Sequence, residues 1–485
     1  LLRPGEEFAW KPIYLHYTRA VLALTPHRCH RRPSPFHSSS DRGIVTALRR
    51  ASAKRPDYWD FREHIEELAS QRLFQYPAMM VPEMQKQVIK AILRKHPEIQ
   101  TLADPFLGSG TILALAMLHG RQFIGQDINP LSLLISKTRA FSLDYVELLE
   151  AVERVYSRAR LDRTTCYAVR FKRQAKWFAK AANIALSRLT FAIRKESSVH
   201  SRRFLWVCLA ETVRLNSNSR TSTYKLHVRP ASQRHLTVSD VLECFNSISH
   251  RNVQIVEEFQ RILRQAGHLD SNGRYKHSIT IRYGDSARRF PRDRRANRKP
   301  DLVITSPSYG DNRTTVPYGQ AAWLPLRWID TKDISHSIPP DLANGMYDVD
   351  NRSLGGRRPR NLPARRKVLG SRNAAAVYAD ELASLSRDGY SRFVHFVYDF
   401  RRALRHIAAG CREGGHIVLT LGERNISGTV CPLAEICIDL LKSFGIEEVT
   451  HIVRHIPSKR MAEKNRHSAT ITREYVSIFR KSVKA

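Results

Sequence analysis

The stretch from Thr101 to Ala140, TLADPFLGSGTILALAMLHGRQFIGQDINPLSLLISKTRA, constrains the fold more than any other part of this 485-residue chain. A short apolar run reaches Asp104, a turn containing Gly108 and Gly110 follows, a helix is expected over about Thr111 to Leu118, and Gly120 closes it. A second strand over Gln122 to Gly125 leads to Asp127, which completes a β-α-β unit. Glycines at such a turn let the backbone approach a ligand at the helix N-terminus. A carboxylate ending the second strand can accept hydrogen bonds from ribose hydroxyls. Gly110 and Asp127 stand 17 positions apart, close to the roughly 20 of dinucleotide folds. The turn is not GxGxxG and has no Lys after its last Gly, so neither a dinucleotide fingerprint nor a phosphate loop fits. The pattern points to a nucleoside-containing cofactor on an α/β sheet.

Charge narrows the partner. Eighty Lys and Arg against 45 Asp and Glu give a formal charge of +35 and a pI of about 10.4. A balance this basic favours a polyanion, because neutralising phosphates and releasing counterions supplies much of nucleic-acid affinity. With 42% hydrophobic residues there is enough apolar material for a substantial core, so the chain is not read as disordered throughout. No stretch approaches about 18 uninterrupted apolar residues, and Ala20 to Leu24 is too short for a signal-peptide core. The expectation is a non-membrane, cytoplasmic protein with a polyanionic partner. The seven cysteines are odd in number and contain no CxxC pair, so neither a disulfide framework nor a four-cysteine zinc site is indicated, and no metal is expected.

The organisation along the chain follows from composition. Residues 1–55, with scattered Pro, the Ser38 to Ser40 run and basic residues at Arg49, Arg50 and Lys54, read as a poorly ordered extension. Residues 56–143 carry the first part of a catalytic domain, with an amphipathic helix over about Met84 to Leu93. Residues 144–277 read as a large helical insert, notably over Tyr145 to Tyr156, Trp177 to Arg194 and Phe204 to Leu215. Its Phe171, Lys172, Arg173, Lys176, Trp177, Phe178 and Lys180 suit either a face on phosphates and bases or an amphipathic helix with buried aromatics. Residues 278–485 return to the sheet. The run Ser278 to Tyr283 reaches Asp285, and seven basic residues then fall between Arg288 and Lys299. A second basic segment over 343–370 reads as a mobile loop. Strands are expected near His416 to Leu421, Glu448 to Val453 and Tyr475 to Phe479, the last two forming a late antiparallel hairpin.

Pro300 to Tyr309, PDLVITSPSY, supplies the second motif. An apolar strand, Leu302 to Ile304, delivers Thr305, Ser306, Pro307, Ser308 and Tyr309 to its C-terminal edge. Together with Asp104-Pro-Phe-Leu-Gly-Ser-Gly-Thr111 and Gly125-Gln-Asp-Ile-Asn-Pro130, this segment resembles motifs I, II and IV of class I S-adenosylmethionine-dependent DNA methyltransferases that act on exocyclic amino groups. Tyr76 to Pro82 is similar to the segment that precedes motif I, and Glu211 to Arg220 with Tyr224 to Leu226 looks like a stretch from a subgroup.

The resemblance implies a doubly wound sheet with a late antiparallel hairpin and a helical insert. It implies S-adenosylmethionine held by Asp104, Phe106, Gly108, Gly110, Thr111, Asp127 and Asp285, and a catalytic set of Ser306, Pro307 and Tyr309. Ser306 Oγ and the Pro307 carbonyl would accept the two N–H groups of the target amine while Tyr309 stacks on a flipped base. DNA contacts would fall to Arg288, Arg289, Arg292, Arg295, Arg357 and Arg358, and to Lys459 and Arg460, which lie in a segment that resembles one near the target base. Double-stranded DNA is the implied partner, a cognate restriction endonuclease a further one, and a monomer or weak dimer the expected state. Ser308 departs from the second proline of the motif and opens the door to reduced or altered activity. Ser at the first motif position favours cytosine N4 over adenine N6. An RNA amino-methyltransferase, a glutamine methyltransferase and a catalytically silent DNA-binding relative remain the alternatives.

Overall fold

The computed structural model describes residues 38–53, 55, 57–61, 72–141, 144–233, 235–293, 298–356, 365–371, 373–456 and 472–483. Seven strands, β1 (Thr101–Asp104), β2 (Gln122–Asp127), β3 (Ile279–Tyr283), β4 (Leu302–Thr305), β5 (His416–Gly422), β8 (Ile446–His455) and β9 (Arg473–Lys481), form one sheet in the order β3-β2-β1-β4-β5-β9-β8. All neighbours are parallel except β9, which runs antiparallel to both β5 and β8. The short pair β6 (Arg424–Ile426) and β7 (Thr429–Cys431) forms a separate hairpin. The doubly wound sheet and its late antiparallel hairpin are thus as the sequence suggested.

Strand periodicity explains the three layers. Leu102, Phe123, Leu302, Ile304, Val418, Val476 and Ile478 point to one face and join one apolar cluster. Their neighbours Ala103, Ile124, Val303, Ile417, Leu419 and Phe479 point to the other face and join a second cluster. Each strand is therefore apolar on both sides, as a parallel sheet sandwiched between helices requires. The second face is covered by helices Ala374–Leu385, Arg387–Gly410 and Leu433–Lys442, which contribute Tyr378, Phe393, Phe400 and Ile436.

The first face carries helices Pro82–Lys95, Thr111–Leu118 and Pro130–Ala140 and, beyond them, the insert helices Tyr145–Leu161, Lys180–Arg194, Val199–Asn216 and Val238–Gln265. Phe204, Trp206 and Phe245 of the insert belong to the same cluster as the sheet residues. The segment 171–180 resolves toward packing. Trp177 and Phe178 are buried, Phe171 stands edge-on to Phe178 and Trp323, and a break at Phe178 separates the short helix Gln174–Trp177 from Lys180–Arg194.

Two expectations are corrected. Part of the N-terminal extension is a helix, Ser39–Ser52, opened by a capping box between Ser38 and Asp41, with Ile44 and Leu48 buried in the first cluster. Its amphipathic stripe was masked in the sequence by its flanking serines and arginines. The loop at 343–370 is not uniformly mobile: Asp348–Arg352 is helical, Val349 and Leu354 are buried, and the Gly319 N–H donates to Asp350 Oδ1 at 2.8 Å.

Because Ile44 is fully buried, Ile44→Ala is expected to destabilise the protein by about 2–4 kcal/mol in urea unfolding. A change within about 0.5 kcal/mol would restore the reading of this segment as a surface extension.

Candidate active site

The topological switch lies between β1 and β4, where the chain leaves β1 toward β2 and β3 on one side and β4 leads to β5 on the other. Ligands of open α/β sheets bind outside the strand C-termini at such a point. There a cleft of about 800 Å³, open to solvent, is lined by residues from all four elements involved: Phe106 to Ser109 after β1, Asp127 to Asn129 after β2, Gly284 to Ser286 after β3, and Ser306 and Ser308 after β4.

The loop after β1 is fixed by backbone bonds. Phe106 N–H donates to Asp104 Oδ1 at 3.0 Å, Leu107 N–H to the Gln126 carbonyl at 3.1 Å and Gly110 N–H to the Leu107 carbonyl at 2.8 Å. Gly108 at φ +51° and Gly110 at φ +79° adopt a conformation that L side chains resist, and a Cβ on Gly110 would sit 2.7 Å from Ser136 Oγ. Asp127 accepts from Gly108 N–H through Oδ2 and from Asn129 N–H through Oδ1, each at 2.8 Å. Burial raises its carboxyl above the ordinary value, while these backbone bonds pull the other way. Asn129 also donates to Tyr76 Oη at 3.0 Å, and the Tyr76 ring stacks with Tyr318 at a centroid distance of 5.8 Å.

Motif IV joins this loop from below. Thr305 Oγ1 donates to Asp104 Oδ1 at 2.6 Å, with both residues fully buried. Burial pushes the Asp104 carboxyl up to about 7, against the opposing effect of the Thr305 and Phe106 hydrogen bonds. Ser306 Oγ donates to the Thr420 carbonyl at 3.2 Å and lies 3.3 Å from Tyr309 Oη. Tyr309 Oη donates to Glu474 Oε1 at 3.2 Å, and the other Glu474 oxygen pairs with buried Arg454 at 3.1 Å. Gly422 leaves room for the Tyr309 ring, since a Cβ there would fall 2.3 Å from it.

Residues 32–137 match the DNA methylase family of N6- and N4-methyltransferases. Over 464 residues the chain is 26% identical to the type II methyltransferase M.MvaI of Kocuria varians, covering 91% of this chain and 97% of that one. The chain is thus similar to class I S-adenosylmethionine-dependent DNA methyltransferases of the amino-methylating type. Two structures of the rRNA methyltransferase aviRa from Streptomyces viridochromogenes are 14% identical and cover 83% and 86% of this chain, and 86% and 93% of theirs. Their TM-scores of 0.26 and 0.28 are too low to bear on fold or function.

The residues at the cleft suit S-adenosylmethionine. The glycine turn offers a close backbone approach, and the Asp127 carboxylate lines the cleft at the position expected of a ribose acceptor. Of the residues read from the sequence, Phe106, Gly108, Thr111, Asp127, Asp285 and Ser306 meet at this cleft. Asp104, Gly110, Pro307 and Tyr309 do not line it. Asp104 lies behind the cleft as a brace, and Gly110 serves the packing of its helix against Ser136 and Arg139.

Arg288, Arg289 and Arg292 are exposed just past Asp285. Buried Phe290 between them packs where Gly410 provides space, with a Cβ at Gly410 falling 2.3 Å from its ring, so the strip presents its arginines outward. Arg288 also pairs with Asp285 at 3.5 Å. Arg295, Arg357, Arg358, Lys459 and Arg460 lie outside the described residues. Sequence reasoning missed Tyr318, Asn312, Ser353 and Glu474 as members of the site or its support, because none belongs to a local motif. It assigned no roles to 211–226, where Leu226 N–H donates to Gln320 Oε1 at 3.1 Å, two residues along the helix from Tyr318 at the cleft.

The Asp104 carboxyl predicts a pH signature. Its folded pKa of about 7 lies above the ordinary value near 3.9, so its contribution to stability is fully present below about pH 4 and is lost as pH rises through about 7. Asp104→Asn keeps the Oδ1 acceptor for Thr305 and Phe106 but cannot ionise. Urea unfolding at pH 5 and pH 7.5 should show wild type losing more stability over that interval than Asp104→Asn. Parallel changes in the two proteins would place the Asp104 titration elsewhere.

Proposed function

We propose that the chain transfers a methyl group to the N4 amino group of a cytosine flipped out of double-stranded DNA within a specific sequence. The observation that carries this is Ser306 at the cleft, directly after β4, with its hydroxyl proton directed to the Thr420 carbonyl. With that proton engaged, the Oγ lone pairs are left to accept an N–H from the substrate amine. The Pro307 carbonyl is the natural second acceptor. An exocyclic amine is conjugated with its ring and is a poor nucleophile, so holding both N–H groups turns its electron density toward the methyl donor.

Bound S-adenosylmethionine supplies an electrophilic sulfonium methyl. The protein's own part is alignment and electrostatics. Asp127 and the Gly108 turn would hold the cofactor, and Tyr309, fixed by Glu474, would pack on the extruded base. Flipping costs a few kcal/mol, which stacking and hydrogen bonds in the pocket offset. Ser in place of Asp at the first position of the motif favours cytosine over adenine. Ser308 is compatible with this chemistry, since the turn still delivers Tyr309 to its Glu474 contact.

For the DNA, the exposed strip Arg288, Arg289 and Arg292 is a phosphate track, joined by Arg295, Arg357 and Arg358. Lys459 and Arg460 would act near the target base. The insert, through the 217–230 loop beside Tyr318, is the proposed target reader. The type II name of the relative in Kocuria varians supports a place beside a cognate restriction endonuclease. The high net charge is consistent with a monomer or weak dimer on DNA inside the cell. Among the described residues no helix is long and apolar enough to cross a membrane.

Base-resolved methylation mapping of DNA from cells expressing the chain should reveal N4-methylcytosine in one short sequence context. N6-methyladenine instead would overturn the target base, and unmodified DNA would favour a silent relative. Ser306→Ala and Tyr309→Ala should each lower methyl transfer by about a hundredfold or more while DNA affinity stays within a few fold. Full transfer by both variants would overturn the assigned centre. Among the described residues no acceptor pairs with the Ser308 N–H, so Ser308→Pro removes no hydrogen bond and should retain transfer at or above the wild-type rate.

A further inference from the structure

Three chain segments far apart in sequence converge at the N-terminal end of β5, on the side of the sheet away from the cleft. Asp41 lies in the first turn of helix Ser39–Ser52, His96 caps the C-terminus of helix Pro82–Lys95, and His416 opens β5. Their exposures are 0%, 8% and 1%, and one donor atom from each lies within 4.8 Å of the others. We propose that Asp41, His96 and His416 bind a single divalent transition-metal ion of the zinc class, which fastens the N-terminal helix to the sheet.

The donor set and its surroundings support this. Asp41 Oδ1 lies 3.0 Å from His416 Nε2, close to the roughly 3.3 Å edge of a tetrahedron built on zinc bonds of about 2.0–2.1 Å. The third donor, on His96, has to close by about 1.5 Å at most to share such a tetrahedron. His96 Nε2 is buried and has no hydrogen-bond partner among the described residues, a costly state for an imidazole nitrogen that a metal bond would resolve. The other ring nitrogen, Nδ1, faces Glu98 Oε1 at 3.0 Å, the carboxylate–histidine pairing that orients metal-binding imidazoles.

Asp41 is held in a similar way. Its Oδ2 accepts from Ser38 Oγ at 2.8 Å and pairs with Arg480, which leaves Oδ1 turned toward the histidines. His416 has to be a neutral ring to act as a ligand. Taking up the ion requires its proton to sit on Nδ1. Three protein ligands from the N/O set leave a fourth position for water, and the mixture of imidazole and carboxylate suits zinc and its first-row neighbours. The ion would lie far from the reacting amine and take no part in methyl transfer.

The full chain, stripped with a chelator and dialysed, should bind one Zn²⁺ per molecule by calorimetry and by elemental analysis. Its thermal midpoint should rise on adding Zn²⁺, and Co²⁺ should give the visible absorption of a four-coordinate site. His96→Gln should bind Zn²⁺ about a hundredfold more weakly or worse, and Glu98→Gln about tenfold more weakly. His96→Cys should recover binding and add a thiolate-to-Co²⁺ charge-transfer band. Absence of Zn²⁺ uptake by wild type would overturn the proposal. So would His96→Gln binding Zn²⁺ as wild type does, since the ion would then sit on surface histidines.

Discussion

Thr305 gives its hydroxyl proton to Asp104 in the middle of the sheet, and the two halves of the active site depend on that bond. Asp104 ends β1 and begins the cofactor turn, and Thr305 ends β4 and begins the catalytic segment. The two residues are 201 positions apart. A net contribution of about 1–2 kcal/mol would be modest for stability, but its geometric effect is large. It holds Phe106, whose N–H shares the same carboxylate oxygen, in fixed register with Ser306. The methyl donor and the amine would then be aligned by one buried oxygen that itself touches neither.

Around that centre the enzyme separates chemistry from charge. The cleft itself is built from glycines, serines, aromatics and the carboxylates of Asp127 and Asp285, whereas the arginines lie outside it on a strip pinned by Phe290. On the proposed function this arrangement would let the backbone of a polyanion be held at the rim without placing a fixed cation beside a sulfonium group. The Tyr309–Glu474 hydrogen bond is the other notable feature, because a strand from the far end of the sequence sets the orientation of the motif IV aromatic.

Much of this was legible in the sequence where the signal was local. The helix Thr111–Leu118 was bounded correctly because glycines flank it on both sides and its residues are apolar all round, as a fully buried helix must be. β4 and Ser306 were legible because a short apolar run met a proline turn. Other elements were hidden for physical reasons. The long helix Val238–Gln265, although closed by Gly267, sits in a polar-looking stretch, so its apolar stripe, Val241, Leu242, Phe245, Ile248, Val256 and Phe259, did not stand out. Tyr318 and Glu474 reach the site through tertiary packing that no spacing records. The aromatics of 171–178 were ambiguous between stacking and core because both uses need the same residues, and only their burial decides it.

The insert shares one apolar cluster with the strands and with helix Pro130–Ala140, which contacts Val199–Asn216 directly. A recognition element bolted on through a linker could be exchanged between relatives like a tool head. Here the interior of the insert is also the wall behind the cofactor loop, so transplanting it would require a matching sheet face. With the insert as the proposed target reader, changes in sequence preference are expected to accumulate as substitutions on exposed positions such as Arg220 and Lys225, with the helices beneath them held by packing, and a hybrid built by swapping the whole insert would fail to fold before it failed to recognise DNA.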